Sequence, residues 1–178
     1  MTVSVPESVT AEANVKAAFI PAIANLATGP TVAEMTAGII ISGYLMPGWA
    51  GFTGTQNKGS DPRFNSRQVF ERFGRTSHEV APLIYTYLPQ ELGTPGHVAN
   101  KVYETLAEET TGYLVLGFGL DAELNAAFVA ADVTDFAPVT CGEQFKQSAG
   151  ADEFAPLTVT QELVVTGLKV KDRPIAAA

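Results

Sequence analysis

The sequence predicts a mainly β protein: an antiparallel β-sandwich or barrel with one flanking α-helix. Three observations carry that prediction. About seven segments combine β-branched and aromatic residues between clusters of Gly, Pro, Asn and Ser, the signature of strands. One segment, Lys101–Glu109, holds apolar residues at helical spacing. Strands and helices do not alternate regularly, which sets the chain apart from a doubly wound parallel sheet. A length of 178 residues predicts one domain, large enough to bury its own core.

Residues 1–14 are polar, carry Pro6 and read as a flexible N-terminal arm. The single domain then spans 15–172. Lys16–Ile23 is an extended segment ending near Pro21. Thr31 and Glu34 have capping-box spacing: the Thr hydroxyl takes an orphan amide proton while Glu34 reaches back. Pro30 stiffens the approach to this turn, and Gly38 is placed to end it in the left-handed conformation. Ile39–Leu45 is β-branched and aromatic, a strand stopped by Pro47-Gly48. Gly48–Ser66 is rich in Gly, Thr, Asn and Ser. It reads as a long loop or as a short strand followed by a loop, and long loops in compact domains are often functional. Trp49, near its start, is a core anchor or an interface anchor.

Arg67–Phe73 and Glu79–Leu88 read as strands separated by Gly74–Ser77. The second is apolar on both faces, the pattern of a strand with one face on the core and one against a neighbour. Asn100 is placed to N-cap the helix Lys101–Glu109, whose stripe is Val102, Tyr103 and Leu106. Tyr113–Phe118 is a continuously apolar strand. Ala126–Val139 and Thr158–Val170 read as long strands, with Cys141–Pro156 as the loop between them. In the last strand Val159, Leu163 and Val165 alternate with polar positions, as in a half-buried antiparallel strand. Residues 173–178 read as a frayed tail.

Hydrophobic residues make up 46% of the chain and charged residues 17%, against about 25% charged in an average soluble domain. Either partners cover part of the surface, or the chain is a compact Ala/Gly-rich monomer. A net charge of −8 opposes sequence-specific DNA binding, which sets Lys and Arg against phosphate. It fits simple solubility, and equally a passage whose acidic lining keeps DNA from sticking. Cys141 is the one cysteine, so no intrachain disulfide or multi-Cys metal site can form. The first dozen residues lack the basic patch and apolar stretch of a secretory signal. No apolar run reaches the roughly 18 residues of a membrane span. A reducing compartment such as bacterial cytoplasm is expected.

Few constellations suggest chemistry. Gly117-Phe-Gly-Leu-Asp-Ala122 is a G-x-G-x-x-A pattern after an apolar strand, with helix formers at 123–127 and Asp135 placed to serve as a ribose acid. Asp121 would set negative charge where a pyrophosphate sits, and the chain after Gly117 is too short for most of a Rossmann sheet, so a strand-ending turn is the simpler reading. His78 and His97 lack zinc-site spacing. Adjacent Glu79 points away from His78 along a strand, and no G-x-S-x-G elbow occurs. Lys58, Arg63, Arg67, Arg72 and Arg75 form the densest basic region, with Phe64, Phe70 and Phe73 interleaved. That pattern suits single-strand binding, but Asp61 and Glu71 interrupt it, and a mixed-charge face explains it better.

Four blocks taken in order carry a family resemblance: KAAFIPAI…GPTVAEMTAG from Lys16, NKVYETLAEETTGYLVLG at Asn100–Gly117, the strand through Ala131-Asp132 to Phe136-Ala-Pro-Val139, and the closing VTQELVVTGLKVKD. In these blocks the chain resembles the major tail tube proteins of long, non-contractile-tailed bacteriophages, particularly those infecting actinobacteria. The resemblance implies a structural virion protein, assembled in the host bacterial cytoplasm, with no catalytic residue, cofactor or membrane contact. Six subunits would close a ring, and rings would stack into a tube around the tape measure protein, bounded by a tail terminator and a distal tail protein. Phage DNA would pass through the lumen without specific binding. The arm 1–14 and the segment 48–66 would reach the adjacent ring. The interface residues expected are Trp49, Phe52, Lys58, Asp61, Arg63, Phe64 and Arg67, with Arg suited to bidentate pairs across an interface. A tail terminator, or another ring-forming tail or secretion-tube component, shares the fold and is the alternative role. A dinucleotide-binding enzyme using Gly117–Ala122 is the remote one.

Overall fold

The computed structural model describes residues 10–11, 13–65, 67–91, 98–122, 126–148 and 155–177. Its strands are β1 (Val15–Ile20), β2 (Ile39–Ile40), β3 (Phe52–Asp61), β4 (Phe70–Val80), β5 (Leu83–Thr86), β6 (Thr111–Phe118), β7 (Val133–Gln147), β8 (Thr158–Val165) and β9 (Val170–Pro174), with helices α1 (Val32–Ala37) and α2 (Lys101–Thr105). Seven strands form one antiparallel sheet in the order β2-β1-β6-β7-β8-β5, with β9 also pairing β7, while β3 and β4 pair only with each other. The sheet curls into a half-barrel, so the mainly β, antiparallel class is as the sequence predicts.

The sheet buries apolar residues on both faces. On the first, Phe19, Leu114, Leu116, Val139, Val159, Leu83 and Tyr85 pack with Val102 of α2 and with Leu106, its C-cap. On the second, Ala18, Ile20, Val115 and Phe136 pack with Met35 of α1, Phe128 and Ile175. Successive strand residues point to opposite faces, so a strand covered on both sides reads as an unbroken apolar run. That is why β1 and β6 were conspicuous in the sequence. Each large side chain taken fully out of water contributes roughly 1.5–3 kcal/mol.

The capping box forms. The Glu34 N–H donates to Thr31 Oγ1 at 3.2 Å and the Thr31 N–H donates to Glu34 Oε2 at 2.7 Å, so the expected turn becomes the helix α1. Gly38, however, is extended at φ −93°. A Cβ there would run into the Phe19 carbonyl and Ile20, so close approach to β1, not a left-handed turn, requires the glycine. The strand expected over Ile39–Leu45 stops at Ile40. Beyond it the Ser42 hydroxyl accepts the Ala17 N–H at 2.7 Å and donates to the Ala17 carbonyl at 3.2 Å, taking the place of a ladder bond, and Ser42–Tyr44 winds into a 3-10 turn.

Other boundaries move for equally local reasons. The segment Gly48–Ser66, read as mostly loop, holds the ten-residue strand β3. Gly74–Ser77 does not turn: β4 runs through it to Val80, and the break falls at Ala81-Pro82, where proline lacks a ladder donor. The helix at 101 is shorter than expected. Asn100 does not cap it but brackets the Leu88 backbone with two bonds of 2.8 Å, while Val102 and Leu106 are fully buried as predicted. β7 starts at Val133, after a turn in which Ala131 has φ +72° and Asp132 accepts the Val129 N–H, and it continues through Cys141–Gln147, where a loop was expected. The long last strand divides into β8 and β9.

The frayed tail is corrected as well. Pro174 is in β9, Ile175 is buried in the second core, and Ala176 exchanges backbone hydrogen bonds with Pro30 and Val32. Most of the expected arm 1–14, Ser66 and His97 lie outside the described residues.

Candidate functional site: an exposed, braced hairpin

The β3–β4 hairpin is exposed along most of its length but firmly rooted. At its base the Trp49 Nε1–H donates to the Ala81 carbonyl at 2.8 Å, and the Ala81 N–H donates to Gly51 at 2.9 Å. Trp49 and Phe52, both half-buried, pack on the margin of the first core. Lys169 lies over the Phe52 ring, 4.6 Å from its centroid, and pairs with Asp135 of β7 at 3.0 Å. These contacts tie the hairpin's first residue to the longest strand of the sheet.

Further out, Lys58 lies 3.9 Å from Glu71 and 5.7 Å from the Phe73 ring centroid. Near the tip, Asp61 accepts Arg63 at 2.8 Å and Arg72 at 2.6 Å. Exposed pairs of this kind contribute at most about 1 kcal/mol each; their effect is to orient the guanidinium groups. Phe64 is fully exposed, Val69, Phe70 and Phe73 are exposed too, and Arg67 stands free of the core beyond the tip. Sequence reasoning therefore chose residues that the fold gathers on one element: Trp49 and Phe52 at its root, Lys58 midway, and Asp61, Arg63, Phe64 and Arg67 around its tip. It did not foresee that the element is a hairpin, nor the brace at Lys169.

Charge is divided unevenly. Residues 52–80 carry five basic and three acidic side chains, a net +2, against −10 for the rest of the chain. Four aromatic or branched apolar side chains, Phe64, Val69, Phe70 and Phe73, are exposed beside this charge.

The alternatives in the sequence do not assemble into chemistry. Gly117 is paired to Lys16 within the sheet, and Gly119 turns at φ +73°. The Gly119 and Ala122 amides, which a pyrophosphate would need, donate instead to Asn14 and Ala13 at 2.8 and 2.7 Å. Residues 123–125 lie outside the described residues. Asp135 is paired with Lys169 and Asp132 caps a turn. Among the described residues no group of three or more His, Cys, Asp or Glu could hold a metal, and no helix is long and apolar enough to cross a membrane. Burial pushes the Cys141 thiol up to about 11, so it stays protonated and unreactive at neutral pH.

One buried polar cluster was missed. The Tyr85 hydroxyl donates to Gln161 Oε1 at 3.1 Å and accepts from Gln144 Nε2 at 2.9 Å. The Gln161 amide donates to the Leu106 and Gly142 carbonyls at 2.7 and 2.8 Å, and Gln144 donates to Tyr103 at 2.8 Å. It closes the C-terminal end of α2 and fills the bulge in β7, a structural duty with no exposed reactive atom.

Over residues 2–178 the chain matches the family described as phage tail tube protein. No curated protein matches it. Among solved structures it is similar to a chain of the anti-feeding prophage (AFP) baseplate, determined by cryo-EM with 6-fold symmetrisation. The TM-score is 0.53 at 12% identity, over 95% of this chain and 98% of that one. At that identity the likeness is one of fold.

Proposed function

The chain belongs to the phage tail tube protein family, and from that premise we propose that it is the repeating subunit of a tail tube. As a tail protein it is a structural component of the virion. In this reading six copies close a ring, rings stack around a tape measure protein between a distal tail protein and a tail terminator, and the lumen conducts DNA at ejection without binding it specifically. The virion would be that of a long, non-contractile-tailed phage of an actinobacterial host.

The observation that carries the reading is the braced hairpin. A monomer gains nothing from holding Phe64, Phe70 and Phe73 in water on a rooted, net-positive arm. A polymer gains a preorganised contact, because ordering costs are met before association. The hairpin would reach the adjacent ring, with Arg63 and Arg67 meeting acids there.

Negative-stain electron microscopy across a concentration series, with sedimentation velocity, tests the proposal. Hollow tubes, or six-fold rings that stack, are expected. Discrete rings that never elongate would reassign the chain as a terminator-like ring component.

A further inference from the structure

One carboxylate joins the two faces of the sheet. Asp135 Oδ2 receives the Lys169 ammonium at 3.0 Å, and Oδ1 accepts the Asp172 N–H at 3.0 Å. Lys169 leads to the first face, where it lies over the ring of Phe52 at the root of the hairpin. Asp172 leads to the second. In the β7–β9 ladder Thr134 pairs with Arg173 and Phe136 with Val170, so Asp135 stands opposite both Lys171 and Asp172. β9 thus carries an extra residue, a β-bulge. Within it Asp172 is held in the left-handed region at φ +53°, a conformation that strains a residue with a Cβ.

The bulge decides where the C-terminal end lies. Closing it would slip the residues beyond Asp172 by one position, and a one-residue slip turns every side chain to the other face. Ile175 would then leave the second core, where it is 2% exposed. The Ile175 N–H, which donates to Asp132, would lose its partner. So would the Ala176 backbone, which exchanges bonds with Pro30 and Val32 at the start of α1. The hydrogen bond from Asp172 to Asp135 holds the bulged register.

We propose that Asp135 is a relay between the faces: a contact that draws Phe52 away from Lys169 loosens the bulge at Asp172 and with it the seat of Ile175 in the second core. Without the ring the Lys169 ammonium turns toward water and draws the carboxylate with it, and Asp172 loses the acceptor that offsets its strain. The hairpin is exposed along most of its length, so an event on it is felt at the opposite face. The coupling lies within one chain and goes beyond the tail tube reading, which neither requires it nor fails with it.

Native-state amide exchange of the full chain tests this. Phe52→Leu keeps the apolar bulk and removes the ring. It should lower protection about tenfold, a typical coupling, at the amides of Val32, Ile175 and Ala176, while the amides of β6 keep theirs. Adding Asp172→Gly, which takes the left-handed conformation freely, should restore that protection. In an Asp135→Asn background the amide oxygen still accepts the Asp172 N–H but offers Lys169 no charge, so Phe52→Leu should have no further effect. Unchanged protection at Val32, Ile175 and Ala176 in Phe52→Leu would overturn the relay. An equal loss in β6 would overturn it too, since that marks a general destabilisation. A further loss from Phe52→Leu in the Asp135→Asn background would show that the signal bypasses the carboxylate and would overturn Asp135 as its carrier.

Discussion

The Lys169 ammonium lies 4.6 Å from the centroid of the Phe52 ring while its charge is met by Asp135 at 3.0 Å. Lys169 and Asp135 are mostly buried, at 10% and 15% side-chain exposure. Removing one member of such a pair strands the other. Lys169→Met should therefore destabilise the fold by about 2 kcal/mol. Adding Asp135→Asn should restore part of that, since no charge is then left unpaired. Denaturant titration of the two singles and the double measures the coupling; strictly additive losses would show that the brace carries no energy.

The cap of α1 makes stability depend on pH. Burial pushes the Glu34 carboxyl up, but the backbone N–H groups of Thr31 and Ala24 and the Thr31 hydroxyl outweigh it and hold the pKa below its ordinary 4.5. A carboxylate depressed by folding contributes stability above its unfolded value, and that contribution is lost as pH falls through the lower folded value. Glu34→Gln should narrow the stability difference between pH 6 and pH 3 measured by thermal melts. Thr31→Ala should cost about 1 kcal/mol at neutral pH, with Thr31→Ser close to wild type.

The glutamine cluster predicts an asymmetry. Gln161→Leu leaves the Leu106 and Gly142 carbonyls and the Tyr85 hydroxyl short of partners inside the core. It should cost about 3 kcal/mol, whereas Tyr85→Phe, which leaves the Gln161 and Gln144 amides their carbonyl partners, should cost about 1 kcal/mol. Equal losses in urea unfolding would contradict this ranking.

Charge reversal at the tip of the hairpin tests its place in the polymer. Arg63→Glu and Arg67→Glu should leave the thermal midpoint within about 1 °C, because exposed pairs contribute little, yet impair stacking. Electron microscopy of each variant at matched concentration decides. Tubes of normal length from both would remove the hairpin tip from the inter-ring contact.

Local signals were legible. Thr31 and Glu34 meet within one helical turn, so their spacing alone announced the capping box. Val102 and Leu106 lie one turn apart, and the continuous apolar run of β6 announced a strand. Phe52–Asp61 gave no such signal: it is polar on both sides, and it is a strand because Phe70–Val80 lies beside it.

The sequence by itself therefore determined the mainly β class, the capping box at Thr31 and Glu34, the apolar strands and the stretch of mixed charge with interleaved phenylalanine. Only the tertiary structure decided that Gln161 is interior, that Cys141–Gln147 continues a strand and that Ile175 ties down the C-terminal end. The reason is range. Capping and alternation act between residues a few positions apart. Gln161, by contrast, is satisfied by Leu106 and Gly142, and Lys169 is placed by Phe52 and Asp135, partners that only the closing of the sheet brings within bonding distance.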